Sequence, residues 1–193
     1  MSGPVTTDRR RRSQRAERAI LEATLAMLGE VGFSGLSIDG IAARAGVGKT
    51  TIYRHWEGKA HLVVDAFRRA VPPLPEPDTG TLRDDLVEVL GHVADGLGSS
   101  ALSRMLPALV EAAERDADLR RMFGEFGSER RAVLRRVLER GRSRMEMAPG
   151  FDLDLASDML LGPIFGRRLV SRAPLDRAFA VRLVDALMPA LRA

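Results

Sequence analysis

Four prolines in six residues, Pro72-Pro73-Leu74-Pro75-Glu76-Pro77, break a chain whose apolar residues otherwise recur with a helical period. Proline has no N–H to donate and clashes with the preceding turn, so no helix runs through that stretch. On the N-terminal side, Ala19, Ile20, Ala23, Leu25, Ala26 and Leu28 form one stripe between Arg15 and Val31, and Gly32 is suited to end that helix. Ser37 is placed to cap a short helix through Arg44. A second short helix is expected from about Lys49 to His55, and a fourth from about Lys59 to Val71. Beyond the break, Thr81-Leu82-Arg83-Asp84 resembles a capping box that opens a helix to about Leu97. Further helices are expected over 101–115, interrupted or kinked at Pro107, then over 117–142, 153–171 and 175–191. No β-branched alternation is long enough for a strand, so the expected fold is all-α. The expected organisation is a flexible basic arm at 1–13, a first domain at 14–71, a proline-rich junction at 72–80 and a second helical domain at 81–193.

Composition narrows what such a chain does. With 45% hydrophobic and 29% charged residues in 193, it can bury a core without covalent staples. It has no cysteine, which excludes disulfides, thiol nucleophiles and thiolate zinc sites. The three histidines, His55, His61 and His92, are scattered, so neither a metal site nor a catalytic triad is expected, and no cofactor is implied. No apolar run reaches the roughly 18 residues needed to span a bilayer, so the expectation is a cytoplasmic protein with no membrane partner. The net charge of +4 is uneven: residues 1–70 hold 12 Lys and Arg against 7 Asp and Glu. Six of those arginines fall in residues 8–18. A basic end on a neutral body points to an anionic partner for that end.

The segment around Gly46 says which partner. Two short helices joined by a turn with glycine are the layout of a helix-turn-helix. Ala42, Ala43, Ala45 and Gly46 are small where the helices must cross, and Val47, Ile52 and Trp56 are placed to lock the second helix down. Lys49, Thr50, Thr51, Tyr53, Arg54 and His55 then offer donors with almost no acid among them. Tyr53 has a second reading, in which its ring packs in the core and only the hydroxyl points out. Residues Ala43 to Thr50 also satisfy a relaxed phosphate-binding-loop pattern, but that loop needs a buried strand before it, and Ser37 to Arg44 is an alanine-rich helix.

Residues 33–63, with their Ile41-Ala42-x-x-Ala45-Gly46-Val47 core, Tyr53-x-x-Trp56 and Lys59, resemble the DNA-binding segment of TetR (tetracycline-repressor-like) transcriptional regulators. Arg140-Gly141, Asp152-x-Asp154 and Leu161-Gly162-Pro163 are similar to one C-terminal type in that family. There Arg144-Met145-Glu146 stands where that type tends to carry Arg-Gly-Glu. The resemblance implies a homodimer whose recognition helices enter successive major grooves of a palindromic double-stranded operator. It implies DNA contacts from Ser37, Gly48, Lys49, Thr50, Thr51, Tyr53, Arg54 and His55, a phosphate clamp at Lys59, and an arm of Arg9, Arg10, Arg11 and Arg12 laid along the duplex.

For the second domain the resemblance implies a small-molecule ligand, apolar or aromatic, that releases a repressor from DNA. Met105, Met122, Met159, His92, Phe123, Phe126 and Phe165 are the candidate pocket residues, although thioethers fill cores equally well. The apolar stripes of 153–169 and 175–191 put Leu160, Ile164, Phe179, Leu183 and Leu187 in the expected dimer interface. Asp152, Asp154 and Asp158 suit a helix start better than a metal. A DNA-binding scaffold or helical interaction protein without ligand control is the alternative the residues leave open.

Overall fold

The computed structural model describes residues 5–99 and 101–192. Every regular element among them is helical: α1 (Val5–Gly35), α2 (Ile38–Ala45), α3 (Lys49–Tyr53), α4 (Lys59–Ala70), α5 (Leu82–Ser99), α6 (Ala101–Ala113), α7 (Ala117–Ser143), α8 (Leu153–Gly166) and α9 (Arg177–Arg192). A π-helical turn, Arg167–Ser171, prolongs α8. No described helix is long and apolar enough to cross a membrane.

Helix ends follow local chemistry. The Thr81 hydroxyl accepts from the Asp84 N–H at 3.1 Å and donates to the Asp84 carboxylate at 2.9 Å, closing the start of α5. Asp152 caps α8, accepting from the N–H groups of Asp154 at 2.8 Å and Leu155 at 3.3 Å. Its neighbours turn outward to arginines of α7, Asp154 to Arg135 and Asp158 to Arg131. Gly32 (φ 67°) kinks α1, so Phe33–Gly35 follow at a new angle. Pro107 stands inside α6 without ending it. The carbonyl that a residue-107 N–H would have bonded is that of Ser103, and the Arg168 guanidinium donates to it instead.

The chain forms two compact bodies. The first holds residues up to Val71 together with Arg104–Gly124; the second holds Pro72–Ser103 together with residues from Glu125 onward. The division is thus not a single cut at 72–80, because α6 and α7 each contribute to both bodies. In the first, Ile20, Leu28, Ile41, Ile52 and Leu62 are fully buried alongside Leu109 and Leu119 from the later segment. The Phe123 ring meets Phe67 edge-on, with centroids 5.8 Å apart.

The second body is built on α5, α7, α8 and α9, whose Leu86, Leu90, Leu134, Leu138, Leu160, Ile164, Val184 and Leu191 make one core. A side chain at Gly141 would come within 2.7 Å of Leu82, so α7 reaches α5 only because residue 141 has none. Just beyond, α7 ends with Glu146 N–H on the Gly141 carbonyl and Met145 N–H on that of Arg142, both at 3.0 Å. This is a Schellman ending, which needs a left-handed residue, and Met145 supplies it at φ 59° with its side chain 90% exposed. The geometry that a glycine would give is therefore kept, under strain. Met145→Gly is expected to raise stability by about 0.5–1 kcal/mol, the relief of a left-handed L-residue less glycine's greater unfolded entropy. The reading is a higher urea midpoint at unchanged slope; a lower midpoint would show that the thioether is held by contacts that outweigh the strain.

The ending positions an ion network. Arg144 reaches Glu146 at 2.7 Å, Asp85 at 2.7 Å and Asp78 at 2.9 Å. Glu146 accepts the Leu82 N–H at 2.8 Å, and Asp85, with no solvent exposure, accepts the Thr79 N–H at 2.7 Å and hydroxyl at 2.8 Å. Burial pushes the Asp85 carboxyl up, but the Arg144 and Thr79 hydrogen bonds outweigh it and hold it below its ordinary value. The same bonds, to Asp85 first and then Glu146, raise the Arg144 guanidinium further.

Candidate nucleic-acid interface

The turn between α2 and α3 is set by backbone chemistry. Ser37 is extended (φ −132°, ψ 148°) and its hydroxyl accepts the Gly40 N–H at 3.1 Å, capping α2. At the other end Gly46 is left-handed (φ 67°, ψ 35°), and the Val47 N–H returns to Ala42 at 3.0 Å. Gly48 starts α3 with no side-chain cap. The regular turns of α3 stop at Tyr53, earlier than expected; the Arg54, His55 and Trp56 N–H groups still bond back to Thr50 and Ile52.

What anchors α3 lies on one side of it. Ile52 is fully buried, and Trp56 is 6% exposed with its indole N–H donating to Asp65 of α4 at 2.9 Å. Lys49, Thr50, Tyr53, Arg54 and His55 are exposed and Thr51 is half-buried, so one surface carries most of the expected donors. Tyr53 is 56% exposed, which excludes the core-packing reading of its ring.

Not every expected contact stands ready for DNA. Lys59 turns back into the fold: its ammonium donates to the carbonyls of Phe33 at 3.0 Å and Leu36 at 3.3 Å, and sits 4.3 Å over the Phe33 ring. The Phe33 carbonyl also accepts the Leu36 N–H at 3.2 Å, and a cation is drawn to the carbonyls at a helix C-terminus. Lys59 is thus a clamp between α1 and α4, not an outward phosphate clamp. Lys59→Ala is expected to cost about 1.5–3 kcal/mol, the value of bonds to a charged donor. It should leave the salt dependence of random-duplex binding unchanged, and a flatter log–log slope would reinstate a phosphate contact.

Two ion pairs that sequence spacing gave no means of finding complete the surface. Arg44 holds Glu30 of α1 through two bonds, at 2.5 and 2.8 Å, which fixes α2 on α1. The Arg44 hydrogen bond, against the opposing effect of burial, holds the Glu30 carboxyl below its usual range. Lys49 pairs with Asp39 of α2 at 2.7 Å, and that hydrogen bond raises its ammonium.

The expected arm is helical where it is described. α1 starts at Val5, so Arg10, Arg11 and Arg12 lie exposed on its first turns instead of in a flexible strand, as the helix-forming run of Arg, Gln, Ala and Glu permits. The side chain of Arg9 and the backbone of residues 1–4 lie outside the described residues.

The expected pocket residues are divided between the two bodies. Met105, Met122 and Phe123 belong to the first body, whereas His92, Phe126, Met159 and Phe165 belong to the second. Met105 and Phe126 are buried, Met122, Phe123, Met159 and His92 half-buried, and Phe165 is 37% exposed. An open groove of about 460 Å³ lies in the first body between α1 and α4, floored by Leu21, Leu25, Ala66 and Ala70, and none of the expected seven lines it. The expected dimer residues are likewise placed differently. Leu160 and Ile164 are fully buried and Leu183 is 9% exposed, all within their own subunit's core. Leu187 packs against that core, and Phe179 lies half-buried with the Arg167 guanidinium 4.1 Å from its ring centre. A 3.6-residue stripe reports burial, not which chain does the burying, and here α5 takes the face of α9.

Comparison with known proteins accords with this architecture. A family profile described as bacterial regulatory proteins of the tetR family matches residues 20–66, and one described as a tetracyclin repressor-like C-terminal domain matches residues 76–187. The chain is 33% identical over 177 residues to the uncharacterized HTH-type transcriptional regulator YdeS of Bacillus subtilis, covering 91% of this chain and 89% of that one. It is 35% identical over 182 residues to the DNA-binding transcriptional repressor TetR of Mycobacteroides abscessus, covering 90% and 92%. The crystal structure of the TetR family transcription regulator SCO0332 superposes with a TM-score of 0.72 at 30% identity, over 92% of this chain and 99% of that one. With its helix-turn-helix exposed as described and both family regions matched, the chain belongs to the TetR family of DNA-binding transcriptional regulators.

Proposed function

We propose that the protein is a homodimeric repressor that places one α3 in each of two successive major grooves of a palindromic operator, and that a small apolar or aromatic ligand releases it. The observation that carries the reading is the surface of α3, where Lys49, Thr50, Tyr53, Arg54 and His55 face solvent above buried Ile52 and Trp56. Donors on a helix held this way can reach base edges, while Ser37 and the open N–H groups at the start of α4 suit phosphates. Arg10 to Arg12, on the first turns of α1, add charge for the backbone. DNA in the cytoplasm is the partner. Two subunits are needed because one five-residue α3 reads too few bases to single out a site.

The test is selection of bound duplexes from a random pool by the purified protein. The expected product is a palindrome with half-site centres about one helical turn, ~34 Å, apart or slightly more. Thr50→Ala or Thr51→Ala is expected to change the recovered bases while random-duplex affinity holds; recovery of the same sequence by both variants would remove α3 from the reading role. Ligand control is tested by a thermal-shift screen of apolar and aromatic metabolites, followed by calorimetry with and without operator. An inducing ligand must bind the operator-bound form more weakly by the factor it imposes on DNA, about 5–150-fold for a typical coupling. Equal affinity for both forms would exclude that ligand as an inducer.

A further inference from the structure

We propose that Asp39 sets operator specificity by positioning Lys49, a role that rests on α3 being the reading helix. Three cations of the helix-turn-helix have partners inside the fold. Arg44 is held by Glu30, Lys59 by the carbonyls of Phe33 and Leu36, and Lys49 by Asp39. The first two pairs join α1 to α2 and to α4 and serve the fold. The third differs, because it spans the two helices that face DNA and both members are open to water, Lys49 at 57% and Asp39 at 67%.

A carboxylate there needs a reason. Asp39 gains from the dipole of α2, in whose first turn it stands, but it brings a negative charge up to a polyanion. Its 2.7 Å bond to the Lys49 ammonium cancels that charge and takes one of the three donors that a lysine carries. Two donors remain, held at the start of α3 instead of sweeping freely on a four-carbon stem. A neutral pair adds nothing to attraction by phosphates at large. It still offers paired donors to a base edge with two acceptors, such as the O6 and N7 of guanine. Asp39 therefore withdraws Lys49 from non-specific binding and reserves it for base reading. A pair this exposed contributes little to stability, so removing Asp39 leaves the fold intact while freeing the lysine for any phosphate in reach.

The experiment measures affinity against salt for the selected operator and for random duplex, with Asp39→Asn, the double variant Asp39→Asn/Lys49→Gln and the parent protein. For Asp39→Asn the thermal midpoint should hold. The random-duplex slope should steepen by about 0.9 per subunit, and the operator-to-random ratio should fall. For Asp39→Asn combined with Lys49→Gln, which leaves the pair's net charge at zero, the operator ratio should fall about 5–150-fold while the random-duplex slope stays at the parent's. If this double variant flattens that slope by about 0.9 per subunit, Lys49 is an ordinary phosphate contact and the proposal is overturned. An unchanged slope and ratio in Asp39→Asn overturns it as well, as does an equal rise in both affinities. Failure of the underlying reading looks different: Thr50 and Thr51 variants would then also keep the parent's operator preference.

Discussion

Arg144→Ala is expected to destabilise the protein at neutral pH by about 1–3 kcal/mol, the cost of leaving the buried Asp85 carboxylate without its charged partner. The guanidinium bonds three carboxylates at once, from the junction (Asp78), α5 (Asp85) and the end of α7 (Glu146). Only Asp85 is fully buried, so its charge is the one stranded. The pH dependence should separate this loss from simple loss of packing. In the parent, the Asp85 carboxyl is held below its unfolded value of about 3.9, so its contribution is present above that value and lost as pH falls through the folded value. Without Arg144, burial acts on Asp85 with only Thr79 in opposition, and the folded value should move above the unfolded one. The variant's deficit should then shrink on acidification, because protonation removes the stranded charge. Urea unfolding at pH 7 and at about pH 3.5 measures both effects. A deficit below about 1 kcal/mol at pH 7, or one independent of pH, would show that water reaches Asp85 and the network contributes little.

This network also shows where sequence reading stops. The helices were legible because apolar spacing encodes one buried face, and the ends of α2 and α5 because Ser37, Gly46 and Thr81 act on backbone groups a few residues away. The outward surface of α3 followed from its short polar run over Ile52. What was not legible depends on residues distant in sequence. Lys59 looked like a free cation until Phe33 and Leu36, more than 20 residues earlier, were seen to accept its protons. Met145 looked like a departure from the family pattern, yet the backbone around it keeps the left-handed turn, because Gly141, Glu146 and Arg144 together gain more from that turn than one methionine loses. Residues 104–124 carry no mark in their spacing that assigns them to the first body. Their allegiance is decided by neighbours such as Phe67 and Gly29, the latter leaving room for the Met105 methyl 3.3 Å from where a Cβ would stand.

Leu155→Glu combined with Met159→Glu is expected to give a folded monomer whose operator affinity falls about 10²–10⁴-fold. Within its own subunit α8 buries Leu153, Ala156, Ser157, Leu160 and Ile164. Leu155, 52% exposed, Met159, Gly162 and Gly166 fall within one stripe on another side, at spacings of four, three and four residues. Side chains added at Gly162 or Gly166 would meet nothing within 4 Å, so a second helix has room to approach closely there. Apolar surface of this kind on a family of regulators is our proposed dimer face, in place of Leu160, Ile164 and Leu183. Charges placed on it would have to be desolvated in the dimer but remain hydrated in the monomer, so they act on association and not on folding. A monomer still presents one α3, but the second half-site no longer binds at the high effective concentration that linkage provides, which is the source of the expected loss. Light scattering gives the mass, duplex titration the affinity, and circular dichroism the fold. Leu183→Glu is the control: its side chain lies in the subunit core, so it should unfold the protein instead of dividing the dimer. If the double variant stays dimeric, the proposed face is wrong; if it is monomeric and binds the full operator as tightly as the parent, linked half-sites are not how this protein holds DNA.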